Sequence, residues 1–383
     1  MSKRVCKAKR KVIWTCCSTE NNTKMHIYLD NIIFFLQRSG GISVYWSELQ
    51  KRILEKEGER AHIIEIDGYQ KNIFRKTLDI NPRLIRLESH WLSRFLRYLP
   101  VYLPVSEKVL FHSSYYRFSL QKKVRNVVTV HDFTYEKFRK GPAKWIHTAQ
   151  KFFAIKKADG IICVSENTKK DLLEYLPQIH LKKIAVIHNG VSEDFYPLSD
   201  TSPVSLRNAP NKPFVLFVGD RKSVHKNFDM AVEILHRTEG LWLVMVGNPL
   251  SKVESVLLEQ KLPERYRYFS RISAAELNVL YNRAFCLLYP SSYEGFGIPV
   301  VEAMKAGCPV VSTKTSSITE VAGDAGLLVD CIEVECFLEK IAMLNDVRVR
   351  DMYRQKGLVN AEQFGWDRCF DQTMTFYHDV FER

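Results

Sequence analysis

The sequence predicts an α/β protein of two domains, each built on a parallel β-sheet. Short apolar runs alternate with helical stretches along most of the chain, which is typical of parallel strands joined by crossover helices. The length of 383 residues is sufficient for two domains with separate cores. Residues 198–213 are rich in Pro, Ser and Asn and lack any periodicity, so they are the best candidate for a linker. We therefore expect domains over residues 25–198 and 199–365, followed by a final helix over residues 366–383.

The composition indicates a soluble protein of a reducing compartment. The chain is 46% hydrophobic and 26% charged, and it contains no apolar run of about 18 residues, the length needed to cross a bilayer. Its nine cysteines are scattered and include no C-x-x-C pair, which argues against zinc and for reduced thiols. We therefore expect a cytoplasmic location.

The positive charge is concentrated in the first half. Residues 1–200 contain 35 Lys and Arg against 20 Asp and Glu, whereas the remainder contains 21 against 23. Such an excess favours contact with nucleic acid, an anionic membrane or a phosphate-bearing acceptor. The sequence contains no known nucleic-acid-binding module, so the last two partners lead, and peripheral binding at the inner membrane face is an open alternative.

Residues 1–24 form a basic extension that does not resemble part of a fold. The first strand and its loop begin at Met25, which is itself a candidate start of the protein. A disordered basic tail is the alternative.

The predicted strands of the first half have the length of buried strands and contain no internal proline. They are Ala61–Ile66, Leu84–Leu87, Val109–Phe111, Asn126–Val130, Gly160–Val164 and Ile184–Ile187. In the second half the same criteria predict Phe214–Val218, Trp242–Val246, Tyr266–Phe269, Phe285–Tyr289 and Val310–Ser312.

A double glycine, Gly40 and Gly41, precedes a predicted helix over Ser43–Glu57 that Gly58 would end. A loop between the first strand and the first helix of a doubly wound sheet is a usual place for ligand binding. A plain tight turn is the alternative.

Residues 90–99 predict a helix with one apolar stripe. It is an ordinary core helix or one that touches a membrane interface near the acceptor. The stripe consists of Trp91, Leu92, Phe95, Leu96 and Leu99, with Arg94 and Arg97 beside it.

His131 and Asp132 directly follow the predicted strand Asn126–Val130. A side chain at the carboxyl end of a parallel strand points into the crevice where α/β proteins bind ligands. His131 is therefore a candidate functional residue, and a buried structural histidine is the alternative. Asp132 would orient the loop or bind an acceptor.

Two cations, Arg221 and Lys226, follow the first strand of the second domain in the string GDRKSVHKN. They precede an amphipathic helix and could hold an anionic group. A solvated basic loop is the alternative.

The stretch from residue 293 to 313, YEGFGIPVVEAMKAGCPVVST, follows the apolar run FCLLY. Gly295 and Gly297 lack side chains, so a backbone there can approach a ligand closely. Pro299 suits the start of a helix and Gly307 its end. A strand, a glycine turn and a helix N-terminus together present free N–H groups to phosphate or sugar hydroxyls.

Two carboxylates, Glu294 and Glu302, frame this stretch at E-x7-E spacing. We expect one on the turn and the other in the first helical turn, so that both point into one crevice. Spacing alone also permits an ordinary strand–turn–helix with two solvated carboxylates, because one glycine pair is weak evidence.

The string PSSYEGFGIPVVEAMKAGCPVV, residues 290–311, resembles the E-x7-E signature of retaining glycosyltransferase family 4. The string FVGDRKSVHKNF, the His-Asp pair and the double glycine are similar to further motifs of that family and occur in its order. The resemblance covers nearly all of residues 25–383. It implies the GT-B fold, in which two Rossmann-like domains face each other and the last helix returns to the first domain.

The resemblance also assigns roles to the candidate residues. Glu294 would lie near the donor sugar, and Glu302 would hold the ribose hydroxyls. Arg221 and Lys226 would clamp the donor diphosphate, and His131 would contact the donor sugar and shape the catalytic centre. Gly40 and Gly41 would approach the donor phosphates, and Asp132 would face the acceptor. The donor-binding turn would comprise Gly295, Phe296 and Gly297.

The implied reaction is transfer of a hexose from a nucleotide sugar to a hydroxyl, with retention at the anomeric carbon. The sequence contains no Asp-x-Asp and no G-x-G-x-x-G, so we expect neither a metal clamp nor NAD, and no other cofactor. No carboxylate nucleophile is identified, and front-face displacement is the usual proposal for such enzymes.

The substrates are less determined than the reaction. The motifs are most similar to bacterial mannosyltransferases of surface-polysaccharide biosynthesis, which favours GDP-mannose and leaves UDP-sugars open. A glycan or lipid-linked glycan would be the acceptor. The rivals are another GT-B enzyme, such as a nucleotide-sugar 2-epimerase, and a non-catalytic glycan-binding protein.

Overall fold

The computed structural model describes residues 25–68, 71–89, 95, 97–199 and 210–383. Over these residues the chain forms two parallel β-sheets flanked by helices. The predicted extension over residues 1–24 and most of the predicted linker lie outside the described residues. The same is true of most of the apolar stripe at residues 90–99.

The first sheet has the strand order β3-β2-β1-β4-β5-β6-β7, and its strand pairs are parallel. Helices cover both faces, so its central strands are almost fully buried and mostly apolar. The strands are β1 Ile27–Asp30, β2 Ala61–Ile66, β3 Ile85–Glu88, β4 Val109–Ser113, β5 Val124–Val130, β6 Gly160–Cys163 and β7 Ile184–Val186.

The helices of this half start and stop where the sequence supplies caps. Ser165 caps one of them, because its Oγ accepts a hydrogen bond from the Thr168 N–H at 3.0 Å. Gly58 ends another at a φ of +54°, which favours glycine. The helices are α1 Ile32–Leu36, α2 Gly41–Glu57, α3 Thr134–Phe138, α4 Pro142–Lys157 and α5 Glu166–Tyr175.

The second sheet has the order β10-β9-β8-β11-β12-β13 and is again parallel. Its strands are β8 Phe214–Val218, β9 Trp242–Val246, β10 Tyr266–Phe269, β11 Cys286–Tyr289, β12 Val310–Thr313 and β13 Leu327–Val329. Its helices are α6 Phe228–His236, α7 Lys252–Lys261, α8 Ala274–Arg283, α9 Ile298–Lys305, α10 Ile318–Ala322, α11 Val334–Met343 and α12 Val347–Ala361.

The last helix, α13 (Trp366–Glu382), returns to the first domain. The Tyr377 hydroxyl hydrogen-bonds the His112 ring, and Arg52 Nε donates to the Asp367 carboxylate at 2.7 Å. The helix lies so close to β6 that a Cβ at Gly160 would be 2.5 Å from Val380 Cγ2. The predicted fold, including the returning helix, is therefore confirmed.

Three local features differ from the sequence analysis. Helix α2 begins at Gly41 rather than Ser43, because the first residue of a helix needs no intrahelical N–H bond and tolerates glycine. Strand β13, a short edge strand after α10, is not among the predicted strands. Cys331 and Cys336 form a disulfide across the connection between β13 and α11, so these two thiols are not free as expected.

Candidate active site

The candidate site lies in a crevice between the two sheets. In each sheet the strand order reverses beside the first strand, between β1 and β4 and between β8 and β11. Ligands of such sheets bind outside the carboxyl ends of the strands at this reversal. His131 follows β5, Gly219 follows β8, and Pro290 follows β11, so loops from both sheets meet there.

Lys226 and Glu294 form the ionic centre of the second domain. Lys226 Nζ donates to Glu294 Oε1 at 2.5 Å and to the Tyr289 hydroxyl at 2.8 Å. Burial alone would lower the pKa of Lys226, but the Glu294 carboxylate and the Tyr289 hydroxyl raise it above its ordinary value. The lysine is therefore a fixed cation in direct contact with Glu294.

Gly295 brings the two domains into direct contact. A Cβ at this position would lie 1.9 Å from the His131 carbonyl oxygen and 2.9 Å from Asp132 Cβ. The carbonyl of Gly295 accepts hydrogen bonds from Ser165 Oγ at 2.7 Å and from Thr168 Oγ1 at 3.1 Å. Only a residue without a side chain permits this approach, and Glu294 directly precedes it in the chain.

His131 is half-buried and packs against an aromatic ring. Its ring meets the Tyr45 ring edge to face at a centroid distance of 5.0 Å. Burial lowers the pKa of His131 to about 4, against a smaller opposing effect of the Asp132 carboxylate. The imidazole is therefore neutral near pH 7 and can donate or accept a hydrogen bond but does not supply a positive charge.

Two family models match the chain over most of its length. The model for Glycosyltransferase Family 4 matches residues 39–195, and the model for Glycosyl transferases group 1 matches residues 199–357. The chain belongs to glycosyltransferase family 4. It is accordingly a glycosyltransferase with the GT-B fold.

Curated relatives include two O-antigen chain mannosyltransferases. Mannosyltransferase B of Escherichia coli is 41% identical over 112 residues, which is 29% of this chain and 29% of that protein. A mannosyltransferase of Salmonella typhimurium is 25% identical over 266 residues, covering 67% of this chain and 69% of the relative.

Solved structures support the fold. A sucrose-phosphate synthase of Thermosynechococcus elongatus superposes with a TM-score of 0.73 at 19% identity, over 94% of this chain and 100% of the other. An Anabaena protein in complex with UDP and glucose superposes with a TM-score of 0.68 at 16% identity, over 92% and 98%. At these identities the likeness establishes the fold alone.

In this family 4 glycosyltransferase, Arg221 and Lys226 are held by different partners. Its Nε donates to Glu254 Oε1 at 2.8 Å, and Nη2 donates to the Asn248 carbonyl. Its Nη1 is buried and has no hydrogen-bond partner among the described residues. Two nitrogens thus fix the guanidinium, and Nη1 remains available to an acceptor.

Glu302 lies in the second turn of α9, not in the first turn as predicted, because the helix begins at Ile298 and Pro299 is its second residue. Its Oε2 accepts a hydrogen bond from the Tyr281 hydroxyl at 2.9 Å. Burial raises the pKa of Glu302 to about 7, and the Tyr281 hydrogen bond opposes this effect. The carboxylate therefore titrates near neutrality.

The remaining glycines and Phe296 shape the loops around the site. Gly297 adopts a φ of +101° and caps α9. Gly41 is the first residue of α2, and Gly40 directly precedes it. A Cβ at Gly41 would be 3.6 Å from Ile298 Cδ1, so the starts of α2 and α9 face each other. Phe296 is 4% exposed, and its ring packs against Phe364, so only its backbone could meet a donor.

Several residues that support the site were not predicted. Ser316 Oγ accepts a hydrogen bond from the Glu294 N–H at 2.9 Å, and Ser317 Oγ donates to the Glu294 carbonyl at 2.9 Å. Lys151 Nζ donates to the Asp132 carbonyl at 2.5 Å and to Glu136 at 3.0 Å beneath the His131 loop. Asp132 Oδ1 accepts a hydrogen bond from the Thr134 N–H at 2.9 Å, within its own loop.

A tyrosine next to Glu294 ties the domains together. The Tyr293 hydroxyl donates to Asp171 Oδ2 at 2.7 Å and accepts from the Phe133 N–H at 2.9 Å. Both partners belong to the first domain. Residues 293–295 thus provide an interdomain hydrogen bond, a catalytic candidate and a backbone contact in succession.

None of the described helices combines the length and the hydropathy needed to span a bilayer.

Proposed function

We propose that this glycosyltransferase retains anomeric configuration and moves a hexose, with mannose favoured, from a nucleotide sugar to a hydroxyl of a glycan or lipid-linked glycan. The observation that carries the proposal is the Lys226–Glu294 pair, held against the His131 loop by the backbone contact of Gly295. Donor chemistry from one domain thereby faces the acceptor side of the other.

The leaving diphosphate would be stabilised by protein cations. Arg221 Nη1 is a buried donor without a partner among the described residues, and a phosphate oxygen is the acceptor that suits a guanidinium. Lys226 would add a second fixed charge, which is most effective as the diphosphate gains negative charge during bond cleavage. Both groups are already held by neighbours, so little reorganisation is needed in the reaction.

The other site residues would position the sugar and the nucleoside. Neutral His131 would hydrogen-bond the donor sugar, and Glu294 would contact its hydroxyls. Glu302, on the second turn of α9, would accept hydrogen bonds from the ribose. Gly40 and Gly41 would bring the α2 N-terminus to the phosphates, and Asp132 would act on the acceptor side through the loop that it orients.

GDP-mannose is the favoured donor, and a UDP-sugar is the alternative. The two mannosyltransferase relatives support the first, and the complex of the Anabaena protein with UDP and glucose keeps the second open. The proposed location is the cytoplasm, at the inner face of the membrane, where a lipid-linked acceptor would be met.

Two other functions fit the fold. A nucleotide-sugar 2-epimerase would act on the donor alone and need no acceptor. A non-catalytic glycan-binding protein would have no need of a buried lysine–carboxylate pair, so the contact between Lys226 and Glu294 speaks against it.

The test combines a binding screen with product analysis. Thermal shifts with GDP, UDP and ADP identify the base, because ligand binding to the folded state raises the melting temperature. The protein is then incubated with the matching nucleotide sugars and a lipid-linked oligosaccharide, and NMR reads the anomeric configuration of the product. We expect GDP binding and an α-mannoside. An inverted product, epimerisation without an acceptor, or binding without turnover would each reject the proposal.

A further inference from the structure

We propose that the outer face of α4 docks the protein on an anionic lipid surface. The outer face is defined as Trp145, Ile146, Ala149, Phe153, Lys156 and Lys157. This inference rests on the proposed function, because a lipid-linked acceptor has to be reached at a bilayer. Its test does not require sugar transfer.

The face consists of an apolar strip, Trp145, Ile146, Ala149 and Phe153, with two lysines beside it on the exposed side of the helix. At about 100° per residue, its six members fall within roughly a third of the helix circumference. Trp145 is 73% exposed, Ile146 54% and Phe153 47%. A surface helix normally turns polar residues outward, so an exposed Trp–Ile–Phe strip marks an interaction surface.

The opposite side of α4 is already occupied. Gln150, Lys151, Ala154 and Ile155 are buried against the first domain, and Ala154 and Ile155 belong to its core. The outer strip therefore cannot be explained as the core-facing side of the helix.

The charge around the strip favours an anionic partner. Helix α4 contains four lysines and no Asp or Glu, and residues 134–157 contain seven Lys and Arg against Glu136 alone. Lys137 and Lys151 pair with Asp171 and Glu136. Lys156 and Lys157 end the helix on its exposed side, and Lys157 Nζ lies 5.6 Å from the Phe153 ring centroid.

Aromatic and aliphatic side chains flanked by lysines match a bilayer interface with acidic lipids. The apolar side chains enter the boundary between headgroups and acyl chains, and the ammonium groups stay with the phosphates. A second segment extends the surface: Tyr98 and Leu99 are exposed, and Gln150 Nε2 of α4 donates to the Arg97 carbonyl beside them.

The location links this face to the candidate site. The inner side of α4 supports the His131 loop, because Lys151 Nζ donates to the Asp132 carbonyl. One helix diameter, about 10 Å, therefore separates the outer face from the loop on the acceptor side. Docking would bring the headgroup region beside the acceptor side of the crevice.

The experiment measures binding of the full chain to vesicles by co-sedimentation at low salt. One set contains phosphatidylcholine alone, and the other contains equal amounts of phosphatidylcholine and phosphatidylglycerol. We expect clear binding to the second set only. W145S/I146S should weaken it by about tenfold or more through lost apolar burial. K156E/K157E should weaken it by about thirtyfold or more, since each lysine near an acidic surface contributes strongly.

The matched control is V253S/V256S on α7 of the second domain, where Val253 is 79% exposed and Val256 56%. This variant should bind like the original chain. Equal binding to neutral and anionic vesicles, no binding at low salt, unchanged binding of W145S/I146S, or an equal loss in the control would overturn the proposal.

Melting temperature and nucleotide affinity verify that each variant is folded. If W145S/I146S proves unstable, K156E/K157E tests the proposal by itself, because it alters only exposed positions. Transfer to a detergent-solubilised acceptor is measured separately. Failure of this transfer would reject the proposed function, whereas failure of vesicle binding would reject the docking role of the α4 face.

Discussion

The close approach at Gly295 makes a sharp prediction about catalysis. Gly295→Ala adds a methyl group where the His131 carbonyl oxygen would be 1.9 Å away. Real Cβ contacts essentially never fall under 3.0 Å, so the two backbones have to separate by about 1.1 Å at this point. The obstacle is backbone on both sides, so a change of side-chain rotamer cannot relieve it.

The separation would break the contacts that hold the domains together here. Ser165 Oγ and Thr168 Oγ1 donate to the Gly295 carbonyl at 2.7 and 3.1 Å, and about 1 Å more takes both beyond hydrogen-bond range. Each such bond contributes about 0.5–1.5 kcal/mol. A displacement of about 1 Å between reacting groups can reduce a rate about 100-fold. We therefore expect kcat to fall by about that factor.

Nucleotide affinity should hardly change, because Lys226, Glu294 and Glu302 all belong to the second domain. Calorimetry with the preferred nucleotide and single-turnover rates measure the two quantities side by side. Gly365→Ala is the matched control, since no atom lies within 4 Å of the added Cβ and its φ is −89°. A wild-type rate in Gly295→Ala, or an affinity loss as large as the rate loss, would refute the reasoning.

Further predictions concern the donor side and the chain start. Lys226→Ala should lower the single-turnover rate by about 100-fold, as for a lost transition-state donor, and unchanged turnover would exclude that role. Because burial raises the pKa of Glu302 to about 7, nucleotide affinity should increase as the pH rises through about 7, and Glu302→Gln should flatten this profile. The same shift affects the free energy of unfolding: the contribution of neutral Glu302 is present at acidic pH and is lost as the pH rises through about 7. Above pH 7, Glu302→Gln should therefore be more stable to unfolding than the original chain. EDTA should leave most activity in place, and loss restored by manganese would contradict the cationic clamp. Deletion to Met25 should leave the melting temperature unchanged, and a fall of several degrees would mean that the extension is packed.

Local signals were sufficient for the sheets. Strands β8 and β9 are apolar along their length and each is followed directly by a glycine, so their limits could be predicted to the residue. Strand β13 has three residues and lies at the edge of its sheet, and so short a run gives little periodic signal. The Cys331–Cys336 disulfide depends on how that strand and α11 are joined, which spacing does not reveal.

The site was predictable where chemistry and position along the chain coincide. Glu294 and Lys226 lie in the loops that follow β11 and β8, and these two neighbouring strands end at the same edge of the sheet. Ser316, Ser317 and Lys151 act through backbone groups of distant loops. Nothing in their local sequence distinguishes them from ordinary polar residues, because the partner is a peptide group that every residue possesses.

The order of residues 293–295 places the carboxylate of Glu294 between two contacts to the first domain. Tyr293 bonds the first domain through Asp171, Glu294 bonds Lys226 in the second, and Gly295 abuts the His131 carbonyl. Planar peptide units join the three residues, so a displacement at Tyr293 or Gly295 is passed in part to Glu294. The position of Glu294, and with it the geometry for sugar transfer, therefore depends on both interdomain contacts. We expect Tyr293→Phe, which removes the hydrogen bond to Asp171 and keeps the ionic pair, to lower the single-turnover rate while nucleotide affinity stays close to that of the original chain. An unchanged rate would contradict this role of Tyr293.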